Sequence, residues 1–209
     1  MAQIKLAEYT FDNTIDANCL PNIKPNTITM TSSDSVDGNI TTRTVYIDDT
    51  TMPTQINFTN KTSLLTVTYL NVDNKISWDS MFNNCSNLTS VNLTYSKGEN
   101  ITNFFRAFCN CSKLEEIIGL SNFHVKIDNM DNLFGSCIKL KEIDLSGAII
   151  ENVHSGYYAF SHCREATKIK FPSNTIKMNR DMWQMFSHCR VLEELDLSMF
   201  DTSNEHRQI

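Results

Sequence analysis

Seven cysteines punctuate this chain of 209 residues: Cys19, Cys85, Cys109, Cys111, Cys137, Cys163 and Cys189. Two follow a histidine, as His162-Cys163 and His188-Cys189. Thiolate and imidazole are good zinc ligands, and thiols also pair as disulfides, so either reading would make a chemical site. Adjacent His and Cys side chains point in different directions, however, and Cys85, Cys111 and Cys137 are preceded by Asn, Asn and Ser. An odd count in a chain of this length does not describe a small stapled scaffold either. One small, readily buried residue filling a core position accounts for five of the cysteines at once. Cys109, two residues before Cys111, is read as a surface or corner residue.

Nucleophilic catalysis would need a Ser or Cys, a His and an acid brought together, or a Gly-flanked elbow. His124, His154 and His206 are isolated in the sequence, and six glycines leave no phosphate-cradling loop. The paired acids Glu115-Glu116 and Glu193-Glu194 are read as a solvent-facing approach to a strand. The chain is therefore expected not to be an enzyme and to need no cofactor or metal. With 18 basic and 24 acidic residues the net charge is −6, and no basic arm or stripe marks a nucleic-acid footprint. The opening "MAQIKLAEYTFDNTIDANC" has no apolar core of a signal peptide, and nowhere do 18 apolar residues run together. Neither a secretion signal nor membrane insertion is expected of the chain.

The elements that position these residues repeat. Phenylalanines fall at Phe82, Phe108, Phe134, Phe160 and Phe186, each followed three residues later by a cysteine, with a constant step of 26. The five copies read "MFNNCSNLTSVNL", "AFCNCSKLEEIIGL", "LFGSCIKLKEIDL", "AFSHCREATKIKF" and "MFSHCRVLEELDL"; the second carries one extra residue, and the fourth has Ala166 in place of Leu. An apolar residue also stands four before the Phe in four copies, as Trp78, Phe104, Met130 and Met182, with Gly156 the exception. Positions −4, −1, 0 and +3 share one stripe of a helix. After the Cys the pattern ends in strict alternation, which puts Val91 and Leu93 on one side of a short strand and Asn92 on the other. Each unit is thus expected to be a short helix or 3₁₀ turn, a corner, a strand and a return loop. Such units bury their apolar edges only by stacking, so the fold expected over 58–209 is an α/β solenoid.

Stepping back another 26 finds no Phe-x-x-Cys, but "SLLTVTYLNVDN" (63–74) fits the later half of a degenerate first repeat, with Leu65 and Val67 in the strand positions. Residues 1–57 match no repeat and are rich in Thr, Asn, Asp and β-branched residues. Asp37-Gly38 between two such runs is a hairpin signal. A module of three to five strands is expected, serving as a cap or as an attachment to a larger assembly, through which any oligomer would form.

The Cys-x-x-Leu-x-x-Leu-x-Leu order resembles a leucine-rich repeat, and the lead-in "AF-x-x-C" resembles its BspA-like (Treponema pallidum type) branch. "YYAFSHCREATKIKFPSN" (157–174) ends its strand in Phe-Pro, as that branch does, and "MFSHCRVLEELDLSMFDTSN" (185–204) is similar to the related bacterial surface-protein form. The Phe-Asp-Thr-Ser-Asn loop is intact only at 200–204, and at "EHRQI" (205–209) a further helix would begin. Either the protein ends there, or a partner or further sequence covers the final strand. The β-rich leader is similar to leaders in proteins of bacterial viruses from Gram-positive hosts.

The resemblance implies a leucine-rich solenoid that displays its strand face, with Asn92, Glu116, Glu142, Asp144, Lys168, Lys170, Glu194 and Asp196 outward. The expected role is recognition or adhesion at a virion surface or bacterial cell surface, against a protein or carbohydrate partner. The alternative is a structural or decoration subunit with no receptor activity.

Overall fold

A computed structural model describes residues 3–48, 53–71, 77–96, 103–179, 182–201 and 203. The segment "EHRQI", His206 and Asn204 lie outside the described residues. The chain opens with β1 (Gln3–Asp12), β2 (Asn22–Lys24), β3 (Met30–Asp37), β4 (Ile40–Asp48) and β5 (Gln55–Asn57). β3 and β4 form the hairpin expected at Asp37-Gly38, with Asp37 facing Ile40 and Gly38 at φ +57° leading the turn. Along β4 the alternation of Thr41, Arg43, Val45 and Ile47 inward with Thr42, Thr44 and Tyr46 less buried sets one buried face.

β6 (Leu64–Leu70) joins this module to the repeats. It pairs antiparallel with β1 and parallel with β7 (Ser90–Asn92), which pairs with β8 (Glu116–Ile118). One six-stranded sheet, in the order β3-β4-β1-β6-β7-β8, therefore runs from the leader into the solenoid. Two further parallel ladders follow. One is β9 (Glu142–Asp144), β11 (Lys168–Lys170) and β13 (Glu194–Leu195), which continues the strand positions of the repeat; the other is β10 (Asn152–Val153), β12 (Ile176–Met178) and β14 (Phe200–Asp201) on the return side.

The expected helix does not form, which corrects the α/β assignment: the fold is a β-solenoid of stacked repeats whose one helical element is a 3₁₀ turn at Leu120–Asn122, among the described residues. Around each Phe the chain makes consecutive turns instead. Met81, Asn83 and Cys85 donate their N–H groups three residues back, to Trp78, Ser80 and Phe82. The N–H groups between them, of Ser80, Phe82 and Asn84, donate to Phe105, Ala107 and Cys109 on the next coil. The same interleaving recurs around Phe108, Phe134 and Phe160. It requires a left-handed residue two before and two after each Phe: Ser80 and Asn84, Arg106 and Asn110, Asn132 and Ser136, Tyr158 and His162, Gln184 and His188, all at φ between 54° and 62° or, for Ser136, 63°. A helix would keep every N–H within its own coil; this ladder shares alternate ones between coils. The inward positions are the same as those a helix would give, and Trp78, Met81, Phe82 and Cys85 are all fully buried.

The first repeat begins earlier than a 26-residue step allows. Phe58, 24 residues before Phe82, stacks on it at 5.6 Å with the planes 9° apart, and Asn60 takes the left-handed position. Leu64 and Val67 then fill the core, while Leu65 is only half-buried, in place of the expected Leu65 and Val67 pair. The stack continues through Phe82, Phe108, Phe134, Phe160 and Phe186 at 5.3–5.8 Å. Burial of one such ring contributes about 1.5–3 kcal/mol.

All seven cysteines are free thiols, six of them buried and Cys189 half-buried against the core. The Sγ atoms of Cys85, Cys111, Cys137, Cys163 and Cys189 donate to the carbonyls of Phe58, Phe82, Phe108, Phe134 and Phe160, at 2.9–3.2 Å. Cys109 is also buried, within a turn, which corrects its reading as a surface residue.

Candidate functional site

The strand face is built by alternation. Within each short strand the middle residue, Val91, Ile117, Ile143 or Ile169, points into the core, and its neighbours point away. Two outward rows result. The first runs Ser90, Glu116 along one ladder and Glu142, Lys168, Glu194 along the next; the second runs Asn92, Ile118 and then Asp144, Lys170. The break falls after β8, where the extra residue of the second copy, Gly119 at φ +83°, turns the chain into the 3₁₀ turn.

The two halves differ electrostatically. In the C-terminal half Lys168 pairs with Glu194, and Lys170 with Asp144 at 2.9 Å, each bond crossing from one coil to its neighbour. Burial pushes the Asp144 carboxyl up, but hydrogen bonds from Lys170 and Ser146 outweigh it and hold the group below its ordinary range. The same contact with Asp144 raises Lys170. Three of the expected site residues also shape the strand exits: Asn92, Asp144 and Asp196 accept the N–H of Thr94, Ser146 and Ser198 through Oδ1, at 2.8–3.0 Å. These are local turns closed by a side chain.

Lys168, Lys170, Glu194 and Asp196 line one open groove of about 450 Å³, floored by Ile169 and Phe171. Glu142 and Asp144 adjoin it through the register of β9 with β11. Asn92 and Glu116 belong to the other ladder, where Asn92 faces Ile118 and Glu116 faces Ser90. The leader extends that ladder with a network of its own: Glu8 accepts from Lys5 at 2.8 Å and from Thr44 and Thr68 at 3.1 Å, and Thr10 meets Thr66 at 2.7 Å. Lys5 chiefly, with the two threonines, outweighs burial and lowers the Glu8 carboxyl.

Sequence reasoning missed two aromatic features. Tyr69 and Tyr95 stack at 4.8 Å, with the Lys5 ammonium 4.7 Å above Tyr69 and Tyr95 54% exposed. Tyr157, Tyr158 and Trp183 form a second cluster with centroids 4.2–6.3 Å apart. The sequence signal for the latter was the 26-residue offset between Tyr157 and Trp183. Among the described residues no group of three or more His, Cys, Asp or Glu side chains is placed to hold a metal ion, and no helix is long and apolar enough to cross a membrane. What the strand face offers is hydrogen bonding and paired charge on a support of hydrogen-bonded strands.

A model of the BspA type leucine rich repeat region matches the chain in six copies, over residues 3–115, 54–150 and 76–205, and the chain belongs to that family. No curated protein and no solved structure matches it.

Proposed function

We propose that this BspA-type leucine-rich repeat chain is a non-enzymatic recognition or adhesion protein of a bacterial cell surface or a virion, binding a protein or carbohydrate surface through its strand face. Membership of the family supports a surface role in protein binding or adhesion. The observation that carries the reading is the rigid two-row array of polar side chains, Glu116, Glu142, Lys168 and Glu194 in one row and Asn92, Asp144, Lys170 and Asp196 in or beside the other. Matched charges held in place lose little conformational freedom when a partner docks, and complementary potential sets specificity more than affinity.

The test replaces Glu116, Glu142, Lys168 and Glu194 together by Gln and follows binding of the fluorescent protein to intact host bacteria. Binding is expected to fall at least about tenfold, as loss of a few charge-assisted contacts would give. Unchanged binding by the folded variant removes the strand face from the function.

The second reading, a structural or decoration subunit, draws on β3. This eight-residue strand is the outer edge of the six-stranded sheet, with every residue from Thr31 to Asp37 exposed and Val36 at 64%. An open edge is a template for adding another strand. Deleting the leader would also strip β1 from β6, so V36K is the cleaner probe: loss of assembly in sedimentation with no cell binding by the parent protein supports this reading over the first.

A further inference from the structure

The left-handed residues of the turn ladder project as two rims along the solenoid, and the small residue just after each Phe forms a floor between them. Arg106, Asn132 and Tyr158 stand on one side, Asn110, Ser136 and His162 on the other, and Gly135 and Ser161 lie in the floor of a groove of about 380 Å³. Among the described residues no carboxylate lines this groove, although the chain carries 24 acidic residues. Amide ladders run along the second rim: Asn84 donates to Asn60 at 2.8 Å and Asn110 to Asn84 at 2.7 Å.

Toward the C-terminal coils the groove changes character. The sequence Phe-Ser-His-Cys-Arg occurs identically at 160–164 and 186–190, and the period stacks the two copies. The His162 and His188 rings lie 4.3 Å apart. Ser161 Oγ, on a residue only 3% exposed, meets both His162 Nδ1 and Ser187 Oγ at 2.8 Å, which leaves Nε2 of His162 as the ring's other hydrogen-bonding atom. Arg164 and Arg190 are exposed, and neither has an ion-pair partner among the described residues. Burial, then the positive charges of His188, Arg164 and Arg190, push the His162 imidazole below its ordinary value. The facing rim carries Tyr158 beside Trp183, the latter 44% exposed.

We infer that the C-terminal end of this groove, at Tyr158, Ser161 and His162, together with the exposed residues beside it, binds an acidic glycan, with a sugar ring against Tyr158 and Trp183 and its carboxylate, sulfate or phosphate at Arg164 and Arg190. Aromatic faces accept the apolar face of a sugar while their edges and the neighbouring hydroxyls and amides take its polar groups. Guanidinium groups match planar or tetrahedral anions through paired N–H donors. The groove continues past Ser136 to Asn110, so a polymer has further hydrogen-bonding positions, one set per coil. The site is separate from the strand face, and the proposal does not rest on that face binding anything.

The probe is dextran sulfate, with uncharged dextran and polyuridylate as comparators, measured by calorimetry on the full chain at low ionic strength. Dextran sulfate is expected to bind and uncharged dextran to bind far more weakly. R164Q/R190Q is expected to weaken dextran sulfate at least about tenfold, the scale of two lost charge-assisted hydrogen bonds, and W183A to weaken it about threefold or more, both with unchanged thermal melting. The strand-face variant should retain full affinity. Unchanged affinity in R164Q/R190Q overturns the site. Equal affinity for polyuridylate at matched charge overturns its assignment to glycans, and loss of binding in the strand-face variant places the anion elsewhere.

Discussion

Ser136 offers a test in which the turn ladder and a helix demand opposite orders of stability. Its backbone sits at φ +63°, where a Cβ crowds the following carbonyl and costs an L-residue roughly 1–2 kcal/mol. Its N–H donates to Ser161 of the next coil at 2.7 Å, and that bond survives any substitution except proline. S136G removes the crowding, while the looser unfolded chain takes back about 0.4–1 kcal/mol. The net gain is about 0.5–1 kcal/mol, or a rise in Tm of about 1–4 °C at the sensitivity of a chain this long. S136A keeps the Cβ and should melt close to the parent. S136V puts a β-branched side chain into the left-handed region and should lose about 1–3 kcal/mol. Thermal melts followed by circular dichroism, with urea midpoints as a second measure, rank the four proteins. A helical segment would reverse the ranking, with Gly about 0.5 kcal/mol below Ser and Ala above it. Finding Ala above Ser above Gly would refute the ladder.

Three other expectations follow from the contacts described. Burial raises the thiols of Cys85, to about 12, and of Cys111, Cys137 and Cys163 above their ordinary range, so none of these four should react with a thiol reagent at pH 8 until the protein unfolds; labelling of any in the native state, read by mass spectrometry, contradicts the packing. Arg43 clamps Asp34 through two bonds of 2.7 and 2.8 Å and lowers its carboxyl below the ordinary 3.8. Its stabilisation is present above that value and lost as pH falls through the lowered one, so D34N should melt earlier at pH 7 and show a flatter acid limb than the parent, whereas parallel limbs would mean that the clamp contributes nothing. K168E puts three carboxylates in one row with Glu142 and Glu194 and should cost up to about 1 kcal/mol at low salt, most of it restored by adding E194K; a double-mutant cycle with no coupling would show that the pair is incidental.

Much of this was legible in the sequence, and the parts that were not have identifiable reasons. The 26-residue period placed Phe82 through Phe186 in one stack because each step returns the same side chain to the same place. The conformation around each Phe was not legible, since positions −4, −1, 0 and +3 face inward in a helix and in the turn ladder alike. The deciding residues are those two before and two after, and although Asn84 and Asn110 are types that tolerate positive φ, Arg106, Tyr158 and Gln184 give no such hint. Phe58 escaped because its coil is two residues shorter than the rest. On the strand face, the pairing of Lys168 with Glu194 and of Lys170 with Asp144 was available in principle, because both pairs are 26 residues apart. Charges so spaced are neighbours across a ladder, and treating them as a free binding row overlooked that they first satisfy one another.

The rigidity of the period has a physical cause in the backbone. Every coil from Phe82 to Phe160 gives three N–H groups of its turn segment to the next coil, and the Phe carbonyl accepts twice, from the Cys N–H of its own coil and, through the thiol, from the Cys of the coil after it. A residue inserted there would displace donors from acceptors along the whole ladder and strand them in a core that offers no replacement. The one extra residue among the five copies accordingly sits at the strand exit, where Gly119 and the 3₁₀ turn absorb it and the parallel pairing lapses between β8 and β9. The return segment gives back the difference, and Gly147 on the next coil lets Ser121 approach so closely that a Cβ at that position would clash with the Ser121 carbonyl oxygen. Variation is thus confined to the strand exits and return loops, while the left-handed rims keep one fixed repeat per coil. A surface with that spacing is suited to a ligand that itself repeats.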